Sequence, residues 1–172
     1  AGVFRFDSDE DLEAKLAERF ARSELLLAQE YVPTEYDWRV GVLGGRPLYA
    51  CRYGMAPGHW QIVQRDEAGA HEGDAQTLAV ADAPADVVRL AVRAAATIGD
   101  GLYGVDLKVV RGRPVVIEVN DNPNLDAGVE DEVLGEELYM AVMRHFLERF
   151  EAGPASALIE PLPAGDAVEA RR

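Results

Sequence analysis

The stretch Tyr103-Gly104-Val105-Asp106-Leu107-Lys108-Val109-Val110-Arg111-Gly112-Arg113-Pro114-Val115-Val116-Ile117-Glu118-Val119-Asn120 decides the fold. Val105, Leu107, Val109, Val115, Ile117 and Val119 fall on one face under period-two alternation, which predicts strands over Leu102 to Val110 and Pro114 to Asn120. If they turn through Arg111-Gly112-Arg113, with Gly112 at the centre, Asp106 lies directly across from Glu118 on the other face. Opposed Cβ atoms sit about 4.5 to 5.5 Å apart, where two like charges repel unless something positive lies between them. Asn120 adds a neutral oxygen on that face and Lys108 a cation. Such a set, with no cysteine, favours a hard ion such as Mg²⁺, which takes one or two carboxylates plus substrate phosphates. The alternative is the solvated face of an ordinary amphipathic hairpin. A two-residue turn would also break the argument by sending Asp106 and Glu118 to opposite faces.

Working outward, Asp37 to Leu43 and Arg46 to Tyr53 flank Gly44-Gly45, a dipeptide suited to a tight hairpin turn. A regular two-residue loop pairs Asp37 with Arg52 and puts Arg39 on their face, with Trp38, Val40, Val42, Tyr49, Cys51 and Tyr53 on the other. Two arginines around one carboxylate leave a surplus positive charge, and guanidinium forks match phosphate or carboxylate. A plain Asp37 to Arg52 cross-strand pair with Arg39 in solvent is the competing reading. On the apolar face Cys51 reads as a buried, inert thiol.

Ser8 with Asp11 predicts a helix start, and Leu12, Leu16 and Phe20 carry its apolar stripe to about Arg22. Leu25 to Tyr31 reads as a buried strand. Gly54 to Gly73 reads as a mobile loop with one short strand at Trp60 to Gln64, in which His59-Trp60 is a surface feature. Pro84, then Val87, Leu90, Ala91, Ala94 and Ile98, closed by Gly99, predict a second helix. Leu134, Leu138, Val142, Phe146 and Phe150 predict a third, with His145 as a boundary residue, and the tail from Ala152 to Arg172 is expected to be disordered. This order points to an α+β fold, an antiparallel sheet covered by helices on one face, as a single domain over residues 1–151.

Composition narrows the function. With 172 residues, 48% of them hydrophobic, the chain is long enough to bury a core. Asp and Glu number 31 against 17 Lys and Arg, a formal charge of -14 that argues against nucleic-acid binding through bulk charge. One cysteine cannot make an intramolecular disulfide or a cysteine-based metal cluster, which suits a cytoplasmic setting and metal ligands of oxygen or histidine type. No apolar run reaches the roughly 18 residues of a membrane span, and no signal peptide is visible.

Read in order, Gln29-Glu30-Tyr31-Val32, Asp37-Trp38-Arg39, Gly104-Val105-Asp106-Leu107 and Ile117-Glu118-Val119-Asn120-Asp121-Asn122-Pro123 resemble the ATP-grasp superfamily, in its RimK-like branch of α-L-glutamate ligases. The resemblance covers about residues 1 to 150. It implies an ATP-dependent carboxylate-amine ligase that forms an amide or peptide bond through an acyl phosphate. It further implies that Glu30, Tyr31 and Val32 read adenine, that Asp37 holds the ribose, and that Asp106, Glu118 and Asn120 bind Mg²⁺, with two ions allowed and Mn²⁺ able to substitute. Arg39 and Arg52 match basic positions near the triphosphate and acyl phosphate, with Lys108 beside the nucleotide. Positioning and charge neutralisation are what such phosphoryl transfer needs.

Two departures stand out. The family has Gly after the motif's proline where this chain has Asn124, a residue that tolerates a left-handed backbone. The family's lysine-bearing, glycine-rich upstream half is missing, so the chain is expected to be a C-terminal half that is inactive alone. The alternative function is a non-catalytic nucleotide-binding or scaffolding module.

Overall fold

The computed structural model describes residues 3–7, 12–66 and 69–153. They fall into two compact units, Ala1–Pro33 and Thr34–Arg172. The tail beyond residue 153 and the helix cap read at Ser8 and Asp11 lie outside the described residues.

The first unit holds helix α1, Leu12–Phe20. Leu12 and Leu16 are half-buried, while Phe20 is 54% exposed. The buried strand expected at Leu25 to Tyr31 is not formed, and Leu25 and Leu27 are 82% and 85% exposed. Three consecutive leucines define no single face, and no strand among the described residues of this unit offers them a ladder.

The second unit is built on a five-stranded sheet in the order β5-β2-β1-β6-β7, antiparallel throughout. Its strands are β1 (Tyr36–Leu43), β2 (Arg46–Gly54), β5 (Ala75–Leu78), β6 (Leu102–Val110) and β7 (Arg113–Asn120). The expected glycine-rich loop instead carries a separate hairpin, β3 (Val63–Asp66) with β4 (Gly69–Glu72), before the chain returns as edge strand β5. Helix α2 (Ala85–Ala96) covers one face, burying Val87, Ala91 and Ala95 against Trp38, Val40, Val42, Ala50, Val105 and Leu107. Helix α3 (Glu136–Ala152) brings Leu138 to Tyr49 and Cys51 in a second, smaller cluster. The antiparallel α+β architecture expected from the sequence is the one found.

Both long hairpins are more irregular than alternation suggested. The β6–β7 turn has two residues, Arg111 and Gly112, at φ 51° and 76°, as a tight hairpin turn requires. Such a turn would set Asp106 and Glu118 on opposite faces. A bulge beyond Leu107, with Ile117 as the extra residue, restores their opposition and moves Val115 across from Lys108, out of the predicted core face. The β1–β2 turn, Gly44-Gly45, also has two residues, and a bulge at Gly41/Val42 slips the register beyond it. Asp37 therefore pairs with Tyr53, and Arg52 pairs with Trp38 on the α2 face. The predicted cluster of Asp37, Arg39 and Arg52 is not formed.

Candidate functional site

The face away from α2 is a set of cross-strand rows. One runs Thr77, Cys51, Arg39, Asp106, Glu118 across all five strands. The flanking row contains Tyr53, Asp37, Lys108 and Val115, since Lys108 follows the Leu107 that pairs with Trp38. On the other side run Tyr49, Gly41, Gly104 and Asn120. Asp106, Glu118 and Asn120 thus share a face, as do Arg39, Asp37 and Lys108.

Among the described residues, two cross-strand ion pairs lie on this face, Arg39 with Asp106 and Lys108 with Asp37. Arg39 grips both oxygens of Asp106, Nε to Oδ1 at 2.7 Å and Nη2 to Oδ2 at 2.8 Å, and both side chains are only 20% exposed. The carboxylate's hydrogen bonds raise the Arg39 guanidinium further above its already high value. Lys108 donates to Asp37 Oδ1 at 2.6 Å and to Thr34 Oγ1 at 2.6 Å, and Thr34 in turn donates to Asp37 at 2.7 Å. The sequence reading missed Thr34. Glu118 is exposed and makes no ion pair or side-chain hydrogen bond among the described residues. Asn120 Oδ1 accepts from the Asn122 amide at 2.9 Å and keeps a lone pair for another partner.

The segment after β7 closes over this face at the β2–β5 end. Glu130, 1% exposed, accepts from the Tyr53 hydroxyl and from the Asp126 amide at 2.8 Å. Thr77 donates to the Val129 carbonyl at 2.7 Å. Tyr53 presents its ring to Arg39, whose Cζ lies 5.4 Å from the ring centre. Burial, reinforced by Glu130, pushes the Tyr53 phenol well above its usual range. Glu130 also escaped the sequence reading, because an acid amid Asp126, Asp131 and Glu132 looks like one more solvated charge. Gly104 leaves room for Pro123, whose Cβ would stand 2.7 Å from a Cβ added there. Asn124 does not adopt the left-handed conformation considered for it; among the described residues Arg111 is the one non-glycine with positive φ.

Other predicted residues lie elsewhere. Arg52 stacks on Tyr36 and Trp38, 5.0 and 5.9 Å from their ring centres, and bonds to Gln76. Glu30, Tyr31 and Val32 belong to the first unit, in a stretch with neither helix nor strand, where the Arg5 guanidinium lies 4.4 Å from the Tyr31 ring centre. Cys51 is buried, as expected, and burial pushes its thiol up to about 11. His59 Nδ1 accepts from the Gln61 amide at 3.1 Å, and His145 meets the Asp100 carbonyl at 3.1 Å.

Among the described residues no three His, Cys, Asp or Glu side chains gather into a metal cage. Two opposed carboxylates with an amide oxygen beside them fit an ion that draws its remaining ligands from a bound substrate and water, the habit of Mg²⁺. No helix among the described residues is long and apolar enough to cross a membrane.

No protein-family model matches the chain. A probable α-L-glutamate ligase of Xanthomonas axonopodis pv. citri (strain 306) is 36% identical over 109 residues, 63% of this chain and 34% of that protein. The chain spans about a third of the length of the curated relatives it matches. The D-alanine–D-alanine ligase of Bacillus anthracis complexed with ATP shares the fold, with a TM-score of 0.65 and 18% identity over 89% of this chain and 53% of that one. The ATP-grasp ligase PsnB, complexed with a phosphomimetic variant of its minimal precursor, Mg and ADP, gives 0.52 and 24% over 84% and 43%. In sequence this chain is similar to proteins named probable α-L-glutamate ligases and in fold to ATP-grasp ligases, which supports an ATP-grasp, RimK-like relationship.

Proposed function

We propose that the chain is the metal- and phosphate-facing half of an ATP-dependent carboxylate-amine ligase. In such a reaction the γ-phosphoryl group passes to a carboxylate, giving ADP and an acyl phosphate, and an amine then displaces phosphate to leave an amide. The observation that carries the reading is the row that sets Arg39, Asp106 and Glu118 side by side, with Asn120 in the next row.

In this reading Asp106, Glu118 and Asn120 hold Mg²⁺, one ion or two, with Mn²⁺ as a working substitute. The metal neutralises charge on the transferring phosphate. Arg39 steadies the phosphate or acyl phosphate, and Asp37 and Lys108, already fixed to one another, face the ribose and phosphates. Glu30, Tyr31 and Val32 bind adenine. Arg52, on the opposite face, falls outside this set. The remaining phosphate contacts come from a further segment, and the carboxylate and the amine, an amino acid or peptide, are small cytoplasmic metabolites. Kinship to proteins named α-L-glutamate ligases makes glutamate the first amino acid to try.

The alternative, a nucleotide-binding or scaffolding module without turnover, draws its support from the share of its relatives that the chain spans. Assaying the whole encoded protein with ATP, Mg²⁺ and a panel of amino acids separates the two. The ligase reading expects amino-acid-dependent release of ADP, abolished by Glu118→Gln with the fold retained. Full turnover in that variant sinks the metal assignment, and nucleotide binding without ADP release favours the module.

A further inference from the structure

We propose that Arg39 is the resident occupant of the Asp106 carboxylate and that a divalent cation must displace it. Loading the metal thereby releases a guanidinium to meet the anion that arrives with it. This rests on the reading of Asp106, Glu118 and Asn120 as cation ligands.

Arg39 engages Oδ1 and Oδ2 of Asp106 together, so a cation can reach the remaining lone pairs only beside the guanidinium charge. Its neighbour across the row, Glu118, is exposed and has no such partner among the described residues. The two carboxylates of one candidate site are therefore in opposite states, one held by a cation of the chain and one open. A metal ion entering from Glu118 and Asn120 meets the like charge of the Arg39 guanidinium held against Asp106, and guanidinium and metal repel at this range. Moving Arg39 aside breaks two charge-assisted hydrogen bonds.

Arg39 has somewhere to go. The ring of Tyr53 lies against it, and the Tyr53 hydroxyl is anchored to buried Glu130, so a displaced guanidinium keeps a fixed π-face beside the site. A cation arriving alone must evict Arg39 without giving it a new partner. An anion arriving alone must pull it from Asp106. A metal-polyphosphate complex offers a partner to each half of the broken pair, so the exchange selects the complex over its separate ions.

The test is Mn²⁺ binding without nucleotide, followed on the full chain through the paramagnetic signal of the free ion. Arg39→Gln, which removes the competing charge, is expected to bind Mn²⁺ about tenfold more tightly than the parent, the factor of roughly one charge-assisted hydrogen bond. Arg39→Lys, which keeps the charge but loses the fork, should gain about threefold and decides the matter if Arg39→Gln does not fold. Affinity at or below the parent's in the folded variants, with binding still weakened by Glu118→Gln, overturns the displacement and leaves the metal site standing. Binding indifferent to Glu118→Gln overturns the metal reading and this proposal with it.

Discussion

The β1–β2 and β6–β7 hairpins are built alike and yet treat their polar residues in opposite ways. Each turns through two residues at positive φ, and each carries a bulge within a few residues of the turn. In β6–β7 the extra residue cancels the offset of the short turn, and Asp106 stays opposite Glu118. In β1–β2 the turn alone would have paired Asp37 with Arg52, and the bulge undoes it, handing Asp37 to Tyr53 and sending Arg52 to the α2 face. Which side chains share a face depends on the turn length and the bulge together. Alternation reports neither.

The largest effect expected from this arrangement comes from Gly41, in β1 on the site face. A Cβ there would sit 2.1 Å from the ring of Tyr49, itself 2% exposed and unable to withdraw. Gly41→Ala should cost about 3 kcal/mol, the upper range for overpacking, in urea unfolding. Its partner Gly104 has one such clash where Gly41 has three, with the Cβ of Pro123 at 2.7 Å, while Pro123 Cγ and Arg39 Cδ lie at ordinary contact distances of 3.6 and 3.8 Å. Gly104→Ala should therefore cost about 1 kcal/mol in stability while weakening Mn²⁺ binding, because Pro123 follows closely on Asn120. Equal losses at the two positions would mean that the hairpins are packed alike, contrary to the register.

The slipped register also gives two tyrosines of β2 different fates. Tyr53 donates to Glu130, whereas the buried Tyr49 hydroxyl has no hydrogen-bond partner among the described residues. Burial, with Glu130 nearby, pushes the Tyr49 phenol up, so it is neutral at ordinary pH. Tyr53→Phe strands a buried carboxylate oxygen and should cost about 1 to 2 kcal/mol, while Tyr49→Phe removes an unsatisfied group and should be neutral or slightly stabilising. Thermal denaturation of both variants side by side checks the order, and its reversal would place Glu130 against the wrong ring.

What the sequence made legible follows from how local each signal is. Helix α2 could be read because Val87, Leu90, Ala91 and Ala94 keep helical spacing, and Asp106 with Glu118 because two irregularities happened to cancel. Strand β5 could not, since Ala75-Gln76-Thr77-Leu78 has one β-branched residue and earns its place by pairing with β2. Leu25 to Tyr31 misled in the other direction, being apolar without a ladder. Thr34 and Glu130 are tertiary in origin: one matters because Lys108 lies across from Asp37, the other because Tyr53 changed faces.

Arg52 sharpens the comparison further. Had the first hairpin run without its bulge, this arginine would flank Asp37, and its loss would disturb an anion site. Placed instead on Tyr36 and Trp38, it contributes packing at a half-exposed surface. Arg52→Ala should lower stability by about 0.5 to 1 kcal/mol and leave Mn²⁺ affinity within about twofold of the parent. A tenfold change in that affinity would return Arg52 to the site face and the regular register with it.

The smallest effect, invisible near neutral pH, belongs to Cys51, which the slip sets opposite Arg39. Burial raises its thiol from an ordinary 9.0 to about 11, and the hydrogen bond with Thr77 lowers it only in part. The folded state thus holds the thiol proton more tightly than the unfolded chain. The stability linked to that proton is complete below about pH 9 and drains away as the pH climbs through 11. Folded protein should resist iodoacetamide at pH 8 while the urea-unfolded chain reacts at once, and Cys51→Ser should flatten the alkaline fall in stability. Ready alkylation of the folded chain at pH 8 would mean that the segment around Glu130 does not cover this end of the sheet. The Thr77 contact to Val129 and the Tyr53 anchor for Arg39 would then fail together, because all three depend on the same closure.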